Sequence, residues 1–426
     1  MLSSYFGRKK VMISANLFSI IGFLFLRFAN TVALLYLGRL TGGYAFGLCF
    51  ANIPQYTGEI SQSRVRKFTA SLMPTFYNVG FVITFGLSTF LSWRTITLIV
   101  LGLPCINVAM LFICPESPTW LMIRSKKEQA NSVMMSLRGD LDIVRKEIGR
   151  MEDNLVRQKE IAGADPNSSF IKNKWAILSK GTFIRPFLVV STLLSICWHW
   201  TGGPMIGFYT IDIIEACKIP MNPYWCAVII ACFQLFFGIF SNFVITLVFR
   251  RKLYMVCGIF ETIGTLILGT MVYLNRKEYF IEFLKEYPAL SWIPLGGILC
   301  FYSGYFGGYV PVMFTFLAEL LPSNARSIGS SIATSCSILS LFVLVKVGPT
   351  LQDIIGLDGC FWLFSGVTSC SIVFCYCFVP ETFGKTLESI EDHYRHICYG
   401  NQVMPNRNKE TLPARSTENE NCFTKL

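Results

Sequence analysis

Runs of about 20 consecutive apolar residues recur along this chain, and a run of that length is what an α-helix needs to cross a hydrocarbon core of roughly 30 Å. They cover residues 11–29, 32–57, 68–90 and 95–114, then 184–214, 223–249, 253–274, 291–318, 327–347 and 360–379. Inside a bilayer no water satisfies backbone N–H and C=O groups, so unbroken apolar runs of this length must close their hydrogen bonds within one helix. The implied class is an all-α polytopic membrane protein with about ten transmembrane helices. Composition agrees. Hydrophobic residues make up 53% of the chain and charged residues 15%, and mean hydropathy is +0.50. A soluble chain carries about a quarter charged residues.

One polar stretch divides the runs into two groups. It opens with Pro115-Glu116-Ser117-Pro118 and continues through Arg124, Lys126, Lys127, Glu128, Arg138, Asp140, Arg145 and Lys146. The expected organisation is a first transmembrane bundle over 1–114, a connector with short helices over 115–182, a second bundle over 183–386 and a polar tail over 387–426. The basic clusters Arg8-Lys9-Lys10, Arg64 to Lys67, the connector and Arg250-Arg251-Lys252 all fall on one side of the alternating spans. That positive-inside bias puts both termini and the connector in the cytoplasm, with the plasma membrane as the expected location. The net charge of +11 therefore faces lipid and cytosol, and no nucleic-acid partner is implied. The 16 cysteines sit mostly inside apolar runs, as small core hydrophobes, with no disulfide framework and no metal-ligand spacing. No phosphate-cradling loop or nucleophile elbow is present, so an enzyme is not expected, and no cofactor is implied.

An internal repeat links the two groups. Glu59 and Arg66 lie seven residues apart after the second run, and Glu319 and Arg326 lie seven apart after the eighth. Each half also closes on a Pro-Glu pair, Pro115-Glu116 and Pro380-Glu381. Matching halves are what a carrier built from parallel repeats shows. An isolated surface ion pair contributes little. A duplicated set at the inner helix ends reads instead as a gate that pairs when the inner side is shut and parts when it opens. Its members are Arg8, Glu59, Arg66, Glu116, Arg250, Arg251, Glu319, Arg326 and Glu381. Gly38, Gly42, Gly43 and Gly47 form a small-residue face that admits a close neighbour.

Gly7-Arg8-Lys9, Gly38-Arg39, the Glu59 to Arg66 and Glu319 to Arg326 segments, Pro115-Glu116-Ser117-Pro118 and Pro380-Glu381-Thr382-Phe383-Gly384-Lys385 together resemble the signature set of the sugar-porter branch of the major facilitator superfamily. The stretch Leu72 to Gly80 further resembles the insect facilitated trehalose transporter group. The resemblance implies a two-bundle fold, alternating access around a midplane site, and facilitated diffusion of a sugar such as trehalose. It also implies twelve spans. The runs seen here would be spans three to twelve, and the expectation is a chain lacking the first two.

The resemblance places the solute pocket at a break in the fifth run. There the family carries a Gln-Gln-x-Ser-Gly-x-Asn pattern, whereas this chain reads Trp198-His199-Trp200-Thr201-Gly202-Gly203-Pro204. Phe314 stands where the family has a stacking Trp, Met313 replaces a proline, and Ser337 replaces an Asn. Gln234 keeps a polar position. The expected substrate-binding residues are Trp198, His199, Thr201, Tyr209, Gln234, Phe314 and Ser337, with Pro74 facing them. His199 has three open readings: a proton-coupling group, a neutral hydrogen-bonding pocket residue, or a packed side chain. Three functions stay open with it: a monomeric sugar carrier, a carrier of an aromatic or cationic solute, and a truncated membrane protein that transports nothing.

Overall fold

A computed structural model describes residues 2–62, 65–163, 181–277, 282, 286–321, 326–385, 389, 390 and 394. Arg66 and Arg326 have described backbone, but their side chains lie outside the described part. So do residues 164–180 of the connector and most of the tail.

Every regular element among the described residues is helical. The first half holds α1 (Leu2–Phe6), α2 (Arg8–Arg27), α3 (Val32–Ile60), α4 (Arg66–Ser88) and α5 (Trp93–Ile113). The connector folds into α6 (Pro118–Ile123), α7 (Lys127–Arg138) and α8 (Leu141–Gly163). The second half begins with α9 (Gly181–Thr192), a π-helical turn (Leu193–Cys197), α10 (Gly203–Phe208) and α11 (Thr210–Ala216). There follow α12 (Pro223–Leu247), α13 (Arg250–Leu274), α14 (Ile293–Gly304), a second π-helical turn (Tyr305–Tyr309), α15 (Val310–Glu319) and α16 (Arg326–Phe378).

Among the described residues seven segments are long and apolar enough to cross a membrane: Arg8–Arg27, Val32–Ile60, Trp93–Ile113, Pro223–Leu247, Arg250–Leu274, Pro288–Glu319 and Ile328–Phe378. The last has 51 residues, or about 77 Å at ~1.5 Å per residue, more than two crossings. It is divided at Gly356, whose φ of 78° and ψ of 164° are not helical. The ninth and tenth sequence runs are thus one bent element. Residues 348–359, between those two runs, are helical apart from this one turn. A Cβ at Gly356 would meet Asp358 Oδ1 at 2.7 Å and the Arg276 guanidinium at 3.1 Å. The Arg276–Asp358 pair, 2.9 Å apart, ties the bend to the end of α13. Leu72–Ser88 and Phe183–Cys197 are shorter apolar helices. With these two counted, and α16 taken as two, the apolar helices among the described residues roughly match the ten expected runs.

Local chemistry sets the helix ends. Thr31 caps α3 by accepting the Leu34 N–H, and Asn222 caps α12 by accepting the Tyr224 N–H at 3.0 Å. Ser117 caps α6 through the Trp120 N–H at 3.2 Å, with Pro118 in the first turn. Gly139 ends α7 at φ 71°. The connector helices close over Leu121, Met122, Ala130, Met134, Val144 and Ile148. Arg138 docks this unit to the first half by donating to the Ile60 carbonyl at 2.8 Å, while pairing with Glu147 at 3.0 Å. A cation at the C-terminus of α3 also suits its dipole.

The two halves pack unequally. The main core lies in the second half and includes Tyr254, Phe301, Tyr302, Tyr309, Phe316, Phe361 and Phe364. The first half has a small core around Met12, Tyr56 and Leu111. Gly264 lets α13 and α14 touch, and Gly22 and Gly38 do the same for α2 and α3. Gly42, Gly43 and Gly47, expected to seat a neighbour, have nothing within 4 Å of where a Cβ would stand. Ile390 and Tyr394, within the stretch read from sequence as a polar tail, join the second-half core. Between the halves α4 meets α12, through Phe90 edge-on to Trp225 at 5.9 Å and Asn78 against Gly238.

A Cβ at Gly264 would lie 2.5 Å from Phe301 N and 2.7 Å from Gly297 O. Gly264→Ala should therefore cost about 1–3 kcal/mol through overpacking, whereas Gly43→Ala should be neutral or stabilising by up to about 1 kcal/mol. Thermal midpoints of the two variants in detergent check this ordering.

Candidate functional site

The residues expected to bind solute gather where the first apolar helix of the second half breaks. Leu193–Cys197 is a π-helical turn. The chain then passes through Trp198 to Thr201 and reaches φ 96° at Gly202 before α10 begins. Glycine is required there twice over. The positive φ disfavours any side chain, and a Cβ would meet the Phe364 ring at 2.6 Å. The next residue, Gly203, lies against Tyr305, 2.3 Å from a Cβ position.

Backbone groups loosened in a bilayer must find partners on neighbouring helices. Three carbonyls of this turn do so, each with a hydroxyl. Ser337 donates to Leu194 O at 2.8 Å. Ser340 donates to Ser195 O. Tyr309 donates to Cys197 O at 3.1 Å. The two serines then hold the rings that follow. His199 Nε2 lies 2.8 Å from Ser337 Oγ, and Trp200 Nε1 donates to Ser340 Oγ at 3.1 Å. A hydroxyl carries one proton. Because the Ser337 proton goes to Leu194 O, Nε2 must be the donor. Nε2 therefore carries a proton, and Nδ1 is buried without a partner.

Trp198 completes the cluster. Its ring stacks on His199 at 4.4 Å, meets Phe314 edge-on at 5.1 Å, and donates its Nε1–H to Tyr305 Oη at 2.8 Å. Trp198, His199, Phe314 and Ser337 are thus brought together as the sequence expects. Thr201 is buried and bonds back to Trp198 O at 3.1 Å. Gln234 is buried beside the Tyr302 hydroxyl without hydrogen-bond geometry to it. Tyr209 is half-buried at the joint of α10 and α11, and Pro74 is exposed on α4. Sequence reasoning missed Ser340, Tyr305 and Asn78. Ser340 was findable, three residues from Ser337 on one helix face. Tyr305 was not, because the π turn at Tyr305–Tyr309 shifts its register. Asn78 is 2% exposed, with Oδ1 unpartnered, at the contact between the halves.

A second constellation lies at the N-termini of α2 and α13, in duplicate. Glu116 Oε1 accepts the backbone N–H groups of Arg8 at 2.9 Å, Lys9 at 3.1 Å and Ser117 at 3.0 Å. Arg8 pairs with Glu59 at 3.1 Å, and Ser117 donates to Glu59. In the second half Glu381 accepts the N–H groups of Arg250 at 3.1 Å, Arg251 at 3.2 Å, Thr382 at 3.0 Å and Phe383 at 3.0 Å. Arg250 pairs with Glu319 and also reaches Thr382. In both halves a carboxylate seats the N-terminus of a helix, where the macrodipole favours it, and that helix's first arginine holds the acid of another helix. The acids expected to act with Arg66 and Arg326 have Arg8 and Arg250 as partners.

The family model described as Sugar (and other) transporter matches residues 1–394, nearly the whole chain. The chain belongs to this family. Its members are transporters rather than enzymes, and the chain is a multi-pass membrane protein. It is 28% identical over 388 residues to the facilitated trehalose transporter Tret1 of Drosophila pseudoobscura pseudoobscura, an alignment covering 91% of this chain and 43% of that protein. To Tret1 of Culex quinquefasciatus it is 27% identical over 398 residues, covering 93% and 73%. The chain thus spans under half the length of the Drosophila relative. The inward-open structure of the xylose transporter XylE from E. coli shares the fold, with a TM-score of 0.72, 19% identity and coverage of 92% of this chain and 84% of that one.

Removing the Ser337 hydroxyl leaves His199 Nε2–H and Leu194 O without their partner in a buried site. Ser337→Ala should cost about 1–3 kcal/mol, and Ser340→Ala, at a half-exposed indole, less. Unfolding midpoints of the purified variants test the order, and Ser337→Thr, which keeps the hydroxyl, should recover part of the loss.

Proposed function

We propose that this chain carries a small polyhydroxylated solute, a sugar such as trehalose, across the plasma membrane by facilitated diffusion. The two bundles alternate access to the pocket at the Gly202 break. The observation that carries this reading is the duplicated inner cluster. Arg8, Glu59 and Glu116 in one half repeat the bonding of Arg250, Glu319 and Glu381 in the other. Two like bundles, each with its inner helix ends held by breakable charge-assisted bonds, are what rocking about a central site requires. The trehalose transporters among its relatives support the solute class.

Trp198, His199, Thr201, Gln234, Phe314 and Ser337 are the proposed binding residues, with Tyr209 at the edge. Arg8, Glu59, Arg66, Glu116, Arg250, Arg251, Glu319, Arg326 and Glu381 form the proposed cytoplasmic gate. The pocket's ring N–H donors are already engaged by Ser337, Ser340 and Tyr305. That leaves aromatic faces and acceptors, so stacking outweighs hydroxyl recognition, and an apolar contact discriminates by only about 1–3 kcal/mol. Sugar affinity should be weak and permissive. The same observation favours a second reading, a carrier for an aromatic or cationic solute.

Labelled trehalose loaded against proteoliposomes holding the purified protein should equilibrate without being concentrated, and an imposed inward proton gradient should not change the end point. Tight, stereospecific trehalose binding, or accumulation lost on His199→Gln, would overturn the permissive, uncoupled reading. Competition by small aromatic cations but not by sugars would favour the second. Arg250→Ala should slow uptake severalfold and raise cytoplasmic-side cysteine labelling of the pocket. An unchanged rate would remove the gate from the mechanism.

A further inference from the structure

A buried acid that the pocket does not use lies at the middle of α13. Glu261 is 0% exposed, and neither of its carboxyl oxygens has a hydrogen-bond partner. No ion pair among the described residues includes it. The titratable groups that face it are Cys257 one turn away on α13, and Tyr305 and Tyr309 on the π turn after α14. The second limb of α16 packs on the same stretch with neutral groups, Ser365 reaching Thr262 O at 3.4 Å. The cations described on these elements, Arg250, Arg251 and Lys252 at the start of α13 and Lys346 on α16, lie away from it in sequence, and no cation among the described residues pairs with it. An isolated carboxylate in such a place is prohibitively costly, so the group must carry a neutralising ligand. The neighbourhood is too tight for a hydrated ion. A Cβ at Gly304 would already lie 3.1 Å from Glu261 Cγ and 2.3 Å from Cys257 O.

We propose that Glu261 is a proton-binding site whose occupancy holds the Tyr305–Tyr309 turn in place, and with it the pocket indole of Trp198. The carboxylate takes one proton from solvent and becomes a neutral acid; no other bond changes. The mechanical link is short. Glu261 packs against Gly304, the residue before the π turn. Tyr305, the first residue of that turn, covers Gly203 and accepts the Trp198 Nε1–H. Single π turns recur at functional sites because they can rearrange without unravelling their helix. With the proton bound, the interface between α13 and α14 stays closed. When the proton leaves at high pH, a charge appears at a sealed helix contact, the contact opens, and Tyr305 withdraws from Trp198. The site lies in the core of one bundle, apart from the alternating pocket. It therefore tunes the pocket without driving accumulation, consistent with an end point insensitive to a proton gradient.

Infrared difference spectra of the purified full chain, wild type minus Glu261→Gln, should show a protonated-carboxyl C=O stretch at neutral pH that fades as pH is raised. Trp198 emission, isolated by difference against Trp198→Phe, should change over the same pH range and lose that change in Glu261→Gln. Absence of the carboxyl band at neutral pH would overturn the site. Trp198 emission that titrates alike in wild type and Glu261→Gln would overturn the link, and its loss in His199→Gln alone would assign the response to the stacked histidine. Should Glu261→Gln fail to fold, Glu261→Met, neutral and similar in volume, gives the same comparison. None of these readouts needs a transported solute, so a chain that carries no sugar can still confirm or refute the site.

Discussion

A helix broken in the middle of a bilayer survives only if its loosened carbonyls are met from outside, and here hydroxyl groups meet them. Ser337, Ser340 and Tyr309 reach Leu194, Ser195 and Cys197. The serines are three residues apart on one face of α16, and their targets are adjacent on the turn, so one helix face serves two carbonyls. Each serine also accepts a ring N–H five residues further along the broken segment, from His199 or Trp200. The hydroxyls that make the break tolerable therefore also orient the side chains around it. The pocket and the backbone irregularity are one construction, and neither would hold its shape without the other.

Tyr309 extends the same logic downward. Because its proton goes to Cys197 O, it must accept from Ser371, which in turn accepts from Tyr254. This ordered hydroxyl chain runs from the pocket turn to α13, and Tyr254 sits one helical turn from Arg250 of the inner cluster. In a low-dielectric core such chains are stiff when every member is satisfied. The break and the Arg250 cluster in the second half are thus joined by directional bonds as well as by packing.

The all-helical polytopic class was legible from sequence because apolar length gives a span by a local rule. Glu116 and Glu381, each following a proline, could be singled out the same way, and each accepts the backbone N–H groups at a helix start. The partners within the clusters were less legible. Spacing singled out Glu59 with Arg66 and Glu319 with Arg326; the side chains of the two arginines lie outside the described residues, and the pairs the folded chain does form, Arg8 with Glu59 and Arg250 with Glu319, join helices 51 and 69 positions apart in sequence. The open face at Gly42, Gly43 and Gly47 shows the same limit: small residues permit a close approach, but only the fold determines whether a neighbour arrives.

Alone, then, the sequence determined the membrane-spanning class, the two-half organisation, the break at Gly202-Gly203-Pro204 and the residue types around it. These depend on composition, periodicity and the conformational freedom of glycine, which act over a few residues. The tertiary structure decided which groups remain free to act. His199 donates from Nε2 because Ser337 has given its one proton to Leu194 O, 143 positions back along the chain. Glu261 is a lone acid because nothing packed around it among the described residues carries a positive charge. Both outcomes depend on which partner occupies a three-dimensional neighbourhood, since a hydrogen bond or a charge is satisfied by what touches it and not by what adjoins it in sequence.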